Sequence, residues 1–136
     1  MGVSDKHIFL VKSMSTWIVT NFLANDEGYI LIDLPSSPVI HKPPTVNGFI
    51  PDLFVPRTQS GTTIVGEAKT SSDLERRHSF EQISAFMVFC ETHMPSLFVL
   101  AVPWHSVPQG RSLIRHIIGK EGLVSIQVQI LENLPG

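Results

Sequence analysis

Apolar residues recur near the start of the chain at spacings of three and four, at Ile8, Val11, Met14, Ile18, Phe22 and Leu23. That repeat predicts a helix with one buried stripe, stopped by Asn25 to Gly28. Tyr29 to Leu34 reads as a short strand. Pro35, Pro38, Pro43 and Pro44 then place four prolines in ten residues. Proline lacks the backbone donor that a helix interior or central strand requires, so this stretch is predicted as an extended loop.

Phe49 to Val55 and Thr62 to Lys69 are rich in β-formers, and Arg57, Thr58, Gln59, Ser60 and Gly61 between them form a hairpin signal. Ser72 with Glu75 and Ser79 with Gln82 both have capping-box spacing. The preferred helix start is Ser79, with Ser72 opening a short preceding turn. Phe80, Ile83, Met87 and Cys90 make the apolar stripe of that helix, which ends before Pro95. The continuous apolar run Leu97 to Val102 suits a central strand covered on both faces. Ser112 to Ile118 reads as a helix closed by Gly119. Val124, Ile126, Val128 and Ile130 alternate with Ser125, Gln127 and Gln129 as a last, half-exposed strand. The predicted order is α-β-β-β-α-β-α-β, an α/β fold with a mixed central sheet and helices on its faces, in a single domain over residues 1–136.

Composition changes this picture in two ways. At 136 residues and 43% hydrophobic, the chain can build an ordinary core without disulfides or structural metal. With ten Lys plus Arg against twelve Asp plus Glu, the formal net charge of −2 excludes a generally basic binder, so any nucleic-acid surface must be a local patch. Cys90 is the single cysteine, which excludes a disulfide framework and a thiolate-rich zinc module and suggests a reducing compartment. Apolar runs are too short to span a bilayer, and no small-residue cleavage site follows Ile8 to Val11. A cytoplasmic protein without membrane partners is expected.

The most informative chemistry is Pro51-Asp52 followed, fifteen residues after the aspartate, by Glu67-Ala68-Lys69. Residues two apart on a strand share a face, so Glu67 and Lys69 point together while the Ala68 methyl turns to the opposite layer. A hairpin symmetric about Gln59 and Ser60 pairs residues whose numbers sum to 119, which puts Asp52 across from Glu67. Like charges so opposed, about 5 Å apart at Cβ, require a shared proton or a bound cation. Two carboxylates, the Ala68 carbonyl and several waters suit Mg²⁺, which takes oxygen ligands and is completed by phosphate oxygens. Lys69 lies where an attacking water could be held.

These residues resemble the motif of the PD-(D/E)XK nuclease superfamily, present here as Pro51-Asp52 and Glu67-Ala68-Lys69. The resemblance runs from the first helix through Leu97 to Val102. It implies a three-layer, restriction-endonuclease-like core of α-β-β-β-α-β, here with an added α-β. It also implies phosphodiester hydrolysis in which Asp52, Glu67 and the Ala68 carbonyl hold Mg²⁺, with Mn²⁺ a possible substitute, and Lys69 orients or activates water. Gln82 with Phe86 is similar to the Gln-x-x-x-Tyr element of RecB-like members, with Phe in place of Tyr. Many members also carry a glutamate on the first helix. This helix has none, with only Asp5 before it and Asp26 and Glu27 after it.

The expected function is therefore a Mg²⁺-dependent nuclease acting on nucleic acid, DNA favoured over RNA, as an endonuclease and with a homodimer as an attractive assembly. Arg76, Arg77 and Gln82 are the expected substrate contacts. The alternative is a non-catalytic nucleic-acid- or protein-binding module that retains the fold. Other signals are weaker. Gly61 and Gly66 have the separation of a phosphate loop, but Glu67 stands where its lysine should. Cys90 and His93 have half a zinc spacing without further ligands. Arg111 and Arg115 share a helical face that suits either phosphate or water. Trp17 and Trp104 read as packing residues rather than base-stacking platforms, Trp104 because it ends a buried strand.

Overall fold

A computed structural model describes residues 4–24, 29–38 and 41–135. The proposed helix stop, Asn25 to Gly28, lies outside the described residues. The first helix, α1 (Asp5–Phe22), starts at Ser4, whose hydroxyl accepts the His7 backbone N–H at 3.1 Å, while Asp5 complements the positive helix end. The remaining order is β1 (Leu31–Ile32), β2 (Leu53–Val55), β3 (Thr63–Ala68), α2 (Arg77–Thr92), β4 (Ser96–Ala101), α3 (Val107–Glu121) and β5 (Gln127–Leu131), with 3₁₀ turns at Asp73–Glu75 and Trp104–Ser106. This is the predicted α/β order.

The five strands lie in one mixed sheet in chain order, antiparallel from β1 to β3 and parallel from β3 to β5. Two crossovers carry α2 and α3, as parallel pairing demands. Alternation along the strands divides the interior into two layers. Leu53, Val55, Ile64, Ala68, Val99 and Ala101 pack with Leu10, Val11, Met14 and Ile18 of α1. Phe54, Val65, Phe98 and Leu100 pack with Ile83, Phe86, Met87 and Cys90 of α2 and with Ile114 and Ile117 of α3. Cys90 is fully buried, which pushes its thiol up to about 12.

Gly66 explains how closely α1 can approach. A Cβ built there would stand 2.9 Å from the Met14 sulfur and 3.2 Å from the Leu53 Cβ. The site needs a residue without a side chain because α1 lies directly on β3.

Several boundaries differ from the sequence-based expectation. Phe49 pairs locally with Val46 rather than extending β2, and β1 keeps only two residues of the expected Tyr29 to Leu34. Helix α2 begins at Arg77, two residues before Ser79, which is buried within the first turn; its N-cap residue is Arg76, without a side-chain cap. Ser72 precedes the 3₁₀ turn but makes no capping hydrogen bond. Helix α3 starts five residues before Ser112, with proline in its first turn, and runs past Gly119. Gly122, at φ +66°, supplies the left-handed terminus instead. The buried run ends at Pro103, and Trp104 is 62% exposed, against the expectation of a packing role. Among the described residues, no helix is long and apolar enough to cross a membrane.

Candidate active site

The hairpin register follows the predicted sum of 119, with Leu53 opposite Gly66, Phe54 opposite Val65 and Val55 opposite Ile64. One position beyond this ladder, the Asp52 N–H donates to Glu67 Oε1 at 3.1 Å, and the Ala68 N–H donates to Asp52 Oδ2 at 2.8 Å. These two bonds lock each carboxylate against the backbone of the opposite arm of the hairpin. Because β2 runs opposite to β3, the start of β2 and the end of β3 share one edge of the sheet. Open α/β sheets characteristically bind ligands at the carboxyl ends of their parallel strands, and Glu67 and Lys69 lie at such an end.

Asp52, Glu67 and Lys69 are all buried. Burial, then the Asp52 charge, pushes the Glu67 carboxyl well above its ordinary 4.5, while Lys69 acts in the opposite sense. Lys69 Nζ lies 3.2 Å from Glu67 Oε2 and also donates to Gln82 Oε1 from α2. The face shared by Glu67 and Lys69 is thus the α2 face. Ala68 turns its methyl into the α1 layer, as strand alternation requires.

A fifth side chain, His7, is not among the residues expected from sequence. His7 Nε2 lies 3.1 Å from Asp52 Oδ1, and this hydrogen bond raises the imidazole above its ordinary 6.5 against the opposing effect of burial. Its signal was present in the helical spacing. His7 precedes Val11 by four residues and Met14 by seven, so it continues the buried stripe of α1 as a polar residue. In the ordering of charges, Lys69 and His7 each face one of the two carboxylates.

The structure therefore brings together Asp52, Glu67, Ala68, Lys69 and Gln82. It does not bring Arg76 and Arg77 into hydrogen-bonding contact with them. Both are strongly exposed at the start of α2, each 3.9 Å from a local carboxylate, Asp73 and Glu81 respectively. Elsewhere, Arg111 pairs with Glu132, and His93 stacks on Phe89 at 4.0 Å between ring centroids.

Among the described residues, no three His, Cys, Asp or Glu side chains are placed to hold a metal ion together. A closed zinc-type cage is not what the cluster offers. Two carboxylates suit an ion that draws only one or two ligands of this kind from protein and fills its shell with water and phosphate oxygen. The buried Glu67, pushed toward protonation by its environment, is a group whose proton a divalent cation would replace. The donor chemistry thus fits Mg²⁺ or Mn²⁺. Comparison with protein-family models, with curated proteins and with solved structures finds no match to this chain.

Proposed function

We propose that this edge of the sheet is the active site of a Mg²⁺-dependent nuclease and that the fold is a restriction-endonuclease-like α/β domain. The observation that carries the reading is the buried set of Asp52, Glu67 and Lys69, joined by backbone bonds and by Gln82. A buried pair of carboxylates costs stability unless protons or cations offset it; here His7 and Lys69 each offset one carboxylate, and a bound cation would offset both. Asp52, Glu67 and the Ala68 carbonyl would hold the metal, and Mn²⁺ would substitute. When bound, Mg²⁺ polarises the scissile phosphate and acidifies a water.

The chain supplies position and charge. Glu67 and Gln82 aim the Lys69 ammonium, whose remaining donor can hold an attacking water or steady charge growing on phosphate oxygens. His7 fixes the rotamer of Asp52 through Oδ1, and the Ala68 N–H fixes the other oxygen. Arg76 and Arg77 stand free enough to meet phosphates flanking the cleaved bond. Nothing here requires a covalent intermediate. Positioning and neutralisation carry the catalysis.

Cleavage of supercoiled, linear, single-stranded and branched DNA and of RNA, side by side in Mg²⁺ and in EDTA, tests the reading. Metal-dependent cleavage that is lost in folded Asp52→Asn supports it. Binding of nucleic acid without cleavage of any form would instead identify a non-catalytic module.

A further inference from the structure

We infer that Trp104 is a stacking platform for an unpaired nucleobase, so that the substrate carries single-stranded or splayed nucleotides beside the scissile phosphate. This rests on the nuclease reading and names the form of its substrate. Trp104 follows β4, whose last residue pairs with Ala68, and the Lys69 N–H donates to the Ala101 carbonyl at 3.0 Å. The tryptophan therefore leaves the sheet at the same edge as Glu67 and Lys69. The residue is 62% exposed although its side chain is among the largest apolar ones in the protein.

The exposure belongs to a fixed backbone. The Trp104 N–H donates to the Leu134 carbonyl at 2.8 Å, and the residue opens the 3₁₀ turn Trp104–Ser106. Ser106, in that turn, meets the Ser71 hydroxyl at 2.6 Å, tying the turn to the segment that leaves Lys69. His105 lies edge-on to the indole with ring centroids 5.5 Å apart. Immediately before Trp104, Pro103 helps line a groove of about 360 Å³ with Phe9, Leu10 and Lys6 of α1. Phe9 is itself 46% exposed, and the same α1 turn carries His7 to Asp52.

An exposed aromatic side chain at the same edge of the sheet as a phosphate-directed site suits a nucleobase, because every base presents a π-face whatever its sequence. Within intact duplex the bases are stacked on one another and unavailable. Backbone-directed chemistry with one stacking contact gives selectivity for structure rather than sequence. It also supplies affinity that a chain of net charge −2 lacks from electrostatics.

The test is fluorescence anisotropy of a labelled single-stranded DNA 12-mer and of the matching blunt duplex. The 136-residue chain is titrated in EDTA at low salt, comparing the unmodified sequence with Trp104→Ala and Trp104→Phe after thermal melts confirm folding. The expected result is tighter binding of the single strand than of the duplex. Single-strand affinity should fall about ten-fold in Trp104→Ala and be mostly retained in Trp104→Phe. Equal affinity of the unmodified chain and Trp104→Ala overturns the proposal, as does absence of all binding. Self-association that Trp104→Ala abolishes while oligonucleotide affinity is unchanged also overturns it and assigns the residue to a protein interface. The two readings fail separately: cleavage with no effect of Trp104→Ala leaves the nuclease standing, and Trp104-dependent binding without cleavage leaves only the platform.

Discussion

Replacing Gly66 by alanine tests how the fold builds its site, because the glycine lies between the core of α1 and the strand that carries Glu67. The added methyl would meet the Met14 sulfur at 2.9 Å and the Leu53 Cβ at 3.2 Å. Met14 can yield by changing rotamer, but the Leu53 Cβ is tied to the backbone of β2. Overpacking of this kind costs about 1–3 kcal/mol, and removing glycine's freedom in the unfolded chain returns about 0.4–1 kcal/mol. The net expectation is a loss of about 1–2 kcal/mol. With an unfolding entropy of about 2.1 cal/mol/K per residue, that lowers Tm by about 3–7 °C for a chain of this size.

Urea and thermal unfolding by circular dichroism, with Met14→Ala and the double variant completing the cycle, measure the effect. The double variant should be less destabilised than the sum of the two single ones, since the cavity left at Met14 accepts the new methyl. An unchanged or raised Tm in Gly66→Ala would refute the claim that contact between α1 and β3 requires glycine. Because α1 carries His7 to Asp52 and Glu67 adjoins Gly66, cleavage should fall together with stability.

Gln82→Leu removes an acceptor from Lys69 Nζ without touching either carboxylate. We expect kcat to fall about ten-fold with KM nearly unchanged and the basic limb of the pH–rate profile displaced; an unaltered profile would assign Gln82 to structure only. Stability and pH are linked through Glu67 and His7, whose folded pKa values are both raised. Each then contributes stability that is complete below its unfolded value, near 4.5 and 6.5 respectively, and is lost as pH rises through the folded one. Melts in EDTA should therefore decline from pH 5 toward pH 8.5. Mn²⁺ held by Glu67 would displace its proton, so its stabilisation should grow with pH and reach about 1.4 kcal/mol at ten times Kd, about 5 °C in Tm. A Mn²⁺ effect that is larger at pH 5 contradicts the linkage.

The hairpin register was legible because turn chemistry and alternation agree on one centre, Gln59 and Ser60, and that register alone places Asp52 across from Glu67. The α1 stripe is legible for the same reason of periodicity, yet its polar continuation, His7, is hidden because a stripe is defined by apolar residues. The start of α2 differs from its sequence signal: Ser79 has the spacing of a cap, whereas packing in the first turn buries it and leaves Arg76 as the N-cap. Trp104 departs from the packing role that continuity with its strand predicts. The apolar run before it is buried, but Pro103 and the backbone bond to Leu134 turn the chain outward there. Compensation of Asp52 and Glu67 by His7 and Lys69 depends on rotamers and helix placement, which no spacing encodes. The pairing of Lys69 with Gln82 was anticipated only as two members of a resemblance, and the strand–helix packing supplies their contact.

The most direct measurement of the central claim is calorimetric titration of metal-stripped protein with Mn²⁺ at pH 8, with Asp52→Asn beside it and a short oligonucleotide present in a parallel series. The account predicts saturable uptake by the unmodified chain, strengthened by oligonucleotide, and its loss in the folded Asp52→Asn variant. No saturable uptake in either series, or uptake that survives Asp52→Asn unchanged, would contradict a metal site at these carboxylates.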